Sequence, residues 1–172
     1  TFYMKRINFI HVGLGNYSYQ RLNILANNKK YNLVGLVDIN KNKIKDLKND
    51  YKKIFFNSIS QATKKVNADA CFIYVSADKH AKLVRESLQN KLHTFCVKPI
   101  ALNAKEFKKI MDLKNKYKNL ILAQGQNNQF NDASIEMKKI LNNKNIFGNF
   151  KLGYCVTWGR QVLQSKNAKV DT

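Results

Sequence analysis

The chain has 172 residues, room for one domain with a real core and little beyond it, and its hydrophobic share of 44% is that of an ordinary globular protein. No apolar run approaches the roughly 20 residues a membrane span needs, and the opening residues do not read as a secretory leader. The net charge of +20 raises nucleic acid as a partner, yet the lysines are scattered with asparagine over nearly every predicted helix and loop, as in Lys41-Asn42-Lys43 and Asn142-Asn143-Lys144-Asn145, so we read solvated faces and expect neither a specific nucleic-acid partner nor a membrane.

In chain order, the apolar run Ile7 to Val12 passes directly into Gly13-Leu14-Gly15-Asn16-Tyr17-Ser18, after which Leu22, Leu25 and Ala26 recur at helical spacing. A second apolar run, Leu33 to Val37, ends in Asp38. Strand, glycine turn, helix, strand and acid follow one another as they do where a dinucleotide is held. Gly13 permits a tight turn, and Gly15 lets the backbone approach a diphosphate at a helix N-terminus, where free N–H groups and the dipole favour anions. Ser18 takes the place of the usual third glycine and is small enough to keep helix and strand close. The expected cofactor contacts are Gly13, Leu14, Gly15, Asn16 and Tyr17 around the diphosphate, with Asp38 and Ile39 at the adenosine ribose. A carboxylate there would repel a 2′-phosphate, so NAD is expected over NADP, with Lys41 the nearby residue able to soften the preference.

The alternation continues. A Lys-rich helix is expected from about Asn40 to Asp50, a short strand at Ile54 to Phe56, and a helix capped at Asn57-Ser58 that runs to about Val66. Ala70 to Val75 is a continuous apolar run of the kind found in a strand buried on both faces. A helix from about Asp78 to Asn90 follows, then a strand from Thr94 to Val97 ended by Lys98-Pro99. Asn103 starts a helix to about Tyr117, with Glu106 completing a capping box, and Leu120 to Ala123 is a further strand. This pattern predicts an α/β fold, a doubly wound parallel sheet over residues 4–125. From residue 126 the register changes: a helix from Ala133 to Leu141 precedes Phe150, Leu152, Tyr154, Val156 and Trp158, which alternate with smaller or polar residues. Period two predicts a half-buried antiparallel strand, the first of an α+β domain that residues 126–172 do not complete.

The three cysteines, Cys71, Cys96 and Cys155, lie in apolar strand-like runs without a C-x-x-C spacing and read as buried thiols in a reducing, cytoplasmic compartment. No acidic or histidine cluster has metal-ligand spacing, so no metal is expected. His11 reads as a core or edge histidine of the first strand. His80 either caps its helix or approaches the cofactor.

These residues resemble the glucose–fructose oxidoreductase, inositol dehydrogenase and rhizopine catabolism (Gfo/Idh/MocA) family, whose N-terminal domain is a Rossmann fold. The resemblance runs from about Ile7 to Arg160 and rests on the glycine turn, on His80, on His93-Thr94-Phe95-Cys96-Val97-Lys98-Pro99, similar to the family's H-V-x-x-E-K-P segment, and on Gln126-Asn127-Asn128-Gln129-Phe130. It implies a catalytic role for Lys98, which would orient the substrate hydroxyl and touch the nicotinamide edge, and cofactor contacts from Val75, Ser76, His80, Lys98 and Gln126. It also implies a homo-oligomer formed through the second-domain sheet.

Three departures bear on that assignment. Val97 replaces the glutamate of E-K-P, Val75-Ser76-Ala77 replaces a threonine-proline-asparagine run, and Gln129 stands where an arginine is common. The family's acid and histidine pair for proton abstraction has no counterpart among His11, His80 and His93, so we read the chain as a piece of a longer enzyme. The activity implied is NAD-dependent hydride transfer between nicotinamide and a secondary hydroxyl of a sugar, polyol or nucleotide-linked sugar. A non-catalytic NAD-binding sensor of the same fold is the alternative.

Overall fold

A computed structural model describes residues 5–149. Six strands, β1 (Ile7–Val12), β2 (Tyr31–Val37), β3 (Phe55–Phe56), β4 (Ala70–Ile73), β5 (His93–Val97) and β6 (Leu122–Gly125), form one parallel sheet in the order β3-β2-β1-β4-β5-β6. They are joined by α1 (Asn16–Ala26), α2 (Asn49–Lys52), α3 (Ile59–Thr63), α4 (Ala77–Gln89) and α5 (Ala104–Lys116). Strand order reverses between β1 and β4, and a doubly wound sheet opens a crevice at the carboxyl ends of its strands at that point.

Side-chain alternation explains the two covered faces. Ile10 and Val12 of β1 share a face with Val37, Cys71, Ile73 and Cys96, and pack with Ile59 and Ala62 of α3, Val84 and Leu88 of α4 and Ile110 of α5. On the other face Leu36 packs with Leu22 of α1, Leu14 and Leu47. Aromatic rings extend this second face across the strands: Phe9 meets Phe72 edge-on at 5.2 Å between ring centres, and Phe72 meets Phe95 at 5.9 Å. Each fully buried Leu, Ile or Phe contributes about 1.5–3 kcal/mol by leaving water, so the sheet has the burial it needs on both sides.

The doubly wound sheet is present as expected, and the departures are local. The helix expected over Asn40 to Asp50 is instead a 3-10 turn, Lys41–Asp46, followed by the single turn of α2. Asn40 caps the first by accepting from the Asn42 amide at 3.0 Å, and extended backbone at Leu47 breaks the run. Ile44 and Leu47 are too few apolar residues to sustain a helical stripe. The α3 helix stops at Thr63, where the Lys65 amide closes a tighter turn on the Ala62 carbonyl at 2.8 Å. β6 starts at Leu122, because Leu120 still closes the turn after α5 through its amide to the Tyr117 carbonyl.

Compactness divides the chain between Gln126 and Asn127. The described part of the second unit holds a 3-10 turn at Asn127–Phe130, α6 (Asp132–Asn142) and α7 (Lys144–Phe147), with Asn131 capping α6 through an oxygen that accepts the Ser134 amide at 2.7 Å. The strand expected over Phe150 to Trp158, and Cys155, lie outside the described residues. Among the described residues no helix is long and apolar enough to cross a membrane, and no group of three His, Cys, Asp or Glu side chains is placed to hold a metal.

Candidate functional site

The carboxyl end of β1 turns at Gly13, whose φ of +99° places it in the left-handed region. A Cβ at Gly13 would stand 2.1 Å from the Tyr74 carbonyl oxygen, so the fold itself requires a glycine there. The Gly13 amide donates to the Val37 carbonyl at 2.8 Å, tying the turn to the end of β2. Gly15 is different. Its φ of −70° suits any residue, and a Cβ built on it would meet nothing within 4 Å. The polypeptide gives no reason for a missing side chain at Gly15; an approaching ligand does. Gly15 is also the N-cap residue of α1, whose first turn leaves N–H groups without intrahelical partners.

The turn is held by a chain of polar contacts. Asp38, half-buried at the end of β2, accepts from the Leu14 amide through Oδ2 at 2.8 Å and from the Asn40 amide through Oδ1 at 2.8 Å. Two carboxylate oxygens offer about four acceptor sites, so acceptor capacity remains beyond these two bonds, and Asp38 lines the cavity that opens over the turn. The Ser18 hydroxyl, buried under α1, donates to the Gly13 carbonyl at 2.5 Å. Its one hydrogen is thereby used, and the contact with His11 at 2.8 Å must be donated by His11 Nε2–H. His11 is fully buried, stacks on Tyr74 at 5.0 Å between ring centres, and leaves Nδ1 with no partner. Burial pulls its imidazole down to about 4, so the ring is neutral near pH 7. The expectation of an ordinary core histidine is therefore half met, since one nitrogen is satisfied and the other is not.

A cavity of about 610 Å³ opens over the turn, within the size range of small-molecule sites. Nine residues expected at the cofactor line it together: Gly13, Leu14, Gly15, Asn16, Tyr17, Asp38, Ile39, Val75 and Ser76. Three do not. The His80 side chain is buried, and both ring nitrogens lie against backbone carbonyls, Pro99 at 2.6 Å and Val75 at 3.0 Å, so the ring has no polar atom left for a cofactor. Nor does it cap α4, whose N-cap is Ser76; it braces the cavity-lining Val75 against the β5–α5 connection. Lys98 and Gln126 are exposed, one residue past the ends of β5 and β6, on the edge of the sheet that carries the cavity but outside its lining. Val97, beside Lys98, does line it.

Sequence reading did not place Asn57, Ser58, Tyr74, Lys79, Lys82, Leu83 and Glu86 at the site, and all of them line the cavity. Lys79, Lys82, Leu83 and Glu86 stand at i, i+3, i+4 and i+7 along α4, one stripe of that helix. Their spacing was visible, but charged residues at that period read equally as a solvated face. Asn57 and Ser58 follow β3, and the signal for them was their position at the carboxyl end of a strand in a parallel sheet.

A glycine turn, open backbone at Gly15 and a carboxylate at the end of β2, all at the reversal of strand order, define a dinucleotide-binding α/β domain. The chain belongs to the Gfo/Idh/MocA family: residues 7–125 match its model, described as an oxidoreductase family with an NAD-binding Rossmann fold. Among solved structures, the myo-inositol 2-dehydrogenase of Lactobacillus plantarum is similar at 23% identity and a TM-score of 0.72, over 83% of this chain and 42% of that one. The scyllo-inositol dehydrogenase of Lactobacillus casei with bound NAD(H) and scyllo-inositol is similar at 20% identity and a TM-score of 0.71, over 83% and 42%. The WlbA dehydrogenase of Bordetella pertussis in complex with NADH and UDP-GlcNAcA is similar at 22% identity and a TM-score of 0.72, over 81% and 43%. The chain thus spans about two-fifths of the length of these structures. Comparison with curated proteins gave no match.

Proposed function

We propose that this chain is the cofactor-holding part of an NAD-dependent oxidoreductase that moves a hydride between nicotinamide and a secondary hydroxyl of a sugar, polyol or nucleotide-linked sugar. The observation that carries the reading is Gly15, a glycine that the fold does not require, facing the cavity beside an α-helix N-terminus and across from Asp38. The first-turn amides of α1 would hold the diphosphate, and the free acceptor capacity of Asp38 would hold the adenosine ribose hydroxyls. Its negative charge disfavours a 2′-phosphate, which supports NAD over NADP. When bound, the dinucleotide supplies a hydride acceptor.

Lys98 stands at the carboxyl end of β5, and an ammonium there would donate to the substrate oxygen and fix its orientation. None of the three histidines is placed to take the hydroxyl proton. His11 and His80 are buried, and His93, at the opposite end of β5 from Lys98, uses Nδ1 to accept the Ile121 amide at 2.9 Å. The substrate classes rest on likeness to relatives that bind inositols and a nucleotide-linked sugar acid. Domain limits of 4–125 and 126–172, a cytoplasmic setting, and association through a second-domain sheet belong to the same proposal.

Calorimetric titration with NAD and NADP tests the cofactor reading. Saturable binding is expected, tighter for NAD, and an Asp38→Ala variant should lose the difference between the two. Equal affinities in the parent would remove the role given to Asp38, and no binding of either would overturn the whole reading. For the chemistry, NADH formation with inositols and UDP-linked sugars should be lower in Lys98→Ala than in the parent, at equal folded content.

A further inference from the structure

We propose that His11 is a positioning residue for the dinucleotide: through the Ser18 hydroxyl it holds one end of the Gly13–Leu14 peptide, whose other end is held by Asp38. The diphosphate turn and the ribose carboxylate are thereby set by a single chain of hydrogen bonds. This inference rests on the dinucleotide reading above.

The direction of every bond in the chain is fixed by chemistry. A carbonyl only accepts, so Ser18 donates to Gly13 O at 2.5 Å, and His11 Nε2–H donates to Ser18 at 2.8 Å. The same peptide plane carries the Leu14 N–H, which donates to Asp38 Oδ2 at 2.8 Å, while Asp38 Oδ1 accepts from Asn40 at 2.8 Å. Rotation of this peptide would break bonds at both ends, so its plane is clamped. That plane leads directly into Gly15 and the first turn of α1.

His11 is a poor choice for packing alone. Its Nδ1 is buried without a partner, whereas an apolar residue between Phe9 and Val12 would leave no polar atom stranded. What the imidazole adds is a donor that uses one lone pair of Ser18 and leaves the hydroxyl hydrogen pointed at Gly13. Without that donor, a serine at the start of a helix is free to turn its hydrogen to other backbone carbonyls, such as that of Leu14 four residues earlier. Ser18 stands in the third-glycine position, so the His11–Ser18 pair turns a substitution at that position into a brace. The groups around the ring fit a neutral donor: Tyr74, the residue after β4, stacks on it, Tyr17 of α1 tilts against Tyr74 at 6.5 Å, and the Arg21 guanidinium lies 4.8 Å over the Tyr17 ring.

The test is NAD affinity of the full chain at neutral pH, by calorimetry, for the parent and for His11→Leu, His11→Gln, Ser18→Gly and the His11→Leu/Ser18→Gly double variant. Near-ultraviolet circular dichroism would confirm the fold of each. His11→Leu should weaken NAD binding about tenfold, and His11→Gln, which keeps an N–H donor at similar reach, should stay within about threefold of the parent. The double variant should bind no worse than the weaker single one, because both changes cut the same chain. Should His11→Leu fail to fold, Ser18→Ala and His11→Gln decide the matter: about tenfold weakening for the first and near-parent affinity for the second are expected. A parent that binds NAD while His11→Leu binds equally tightly, or while His11→Gln is as weak as His11→Leu, overturns the brace alone. A parent that binds no NAD overturns the functional reading and this inference with it.

Discussion

Gly13 and Gly15 stand two positions apart and answer to different constraints. At Gly13 an added methyl would press on the Tyr74 carbonyl oxygen at 2.1 Å, and the backbone sits at a positive φ, so Gly13→Ala is expected to lower unfolding free energy by upward of about 2 kcal/mol in urea titrations. At Gly15 neither constraint exists, and Gly15→Ala should change stability by no more than about 1 kcal/mol, the stiffer unfolded chain offsetting the poorer N-cap of α1, while weakening NAD binding. A Gly15→Ala variant that unfolds more easily, yet binds NAD normally, would contradict the assignment of that residue to a ligand. His11 adds a pH dependence whose sign is fixed. Its folded value is about 4 against 6.5 for the free side chain, so between the two the unfolded chain binds more protons. The stabilisation is full above 6.5 and is lost as pH falls toward 4, by roughly 3 kcal/mol in all. Its stacking partner does not titrate in that window, since burial pushes Tyr74 up to about 12. Urea unfolding at pH 7 and pH 4.5 should show a smaller acid loss in His11→Gln than in the parent.

At the level of elements, what could be read from the chain and what could not follow one physical division. The unit from β1 through α1 to β2 was legible because strand alternation, the glycine turn and the terminal Asp38 are local signals. The same holds for α5, where Asn103 caps by accepting the Glu106 amide at 2.9 Å. The segment after Asp38 was misread as one helix because lysine and asparagine have no periodicity that distinguishes a helix from successive turns. His80 was misread because its partner, the Pro99 carbonyl, comes from a connection 19 residues away. The spacing of the cavity-facing stripe of α4 does not tell a site from a solvated face, for a related reason: only the packing of α4 beside the switch point brings Lys79, Lys82 and Glu86 to the rim of the cavity. Glu86 does more than stand at that rim. Its Oε1 accepts from both the amide and the hydroxyl of Ser60 at 3.0 Å, and Asn90 donates to the same hydroxyl at 3.1 Å, so α3 is pinned to α4. Glu86→Ala should cost about 1–3 kcal/mol and speed amide exchange at Ser60, because two donors lose their acceptor. Glu86→Gln keeps a carbonyl oxygen and should cost less; equal losses for the two would show that the oxygen is not what α3 depends on.

Over the whole molecule the charge balance is lopsided, with 31 Lys plus Arg against 11 Asp plus Glu. The ion pairs among the described residues, Lys53–Asp50, Lys79–Asp78, Lys108–Asp112 and Lys139–Glu136, all lie within four residues in sequence and on exposed side chains. Pairs of that kind are worth about 0–1 kcal/mol each. Repulsion among the unpaired cations acts over a longer range, because the Debye length is about 30 Å at 0.01 M salt and about 8 Å at 0.15 M. Raising sodium chloride across that interval should therefore raise the melting temperature, since the repulsion it screens extends over the domain and the attractions it screens are few and weak. The same positive field draws in a dinucleotide, whose diphosphate is anionic, so the association rate for NAD should fall over the same interval. Opposite slopes, stability up and association down, are the signature of a scattered field. A melting temperature that drops with salt would mean that attractive pairs outweigh the repulsion. Binding to duplex DNA that survives about 0.2 M salt would mean that the lysines form a built surface, which their distribution with asparagine along the chain argues against.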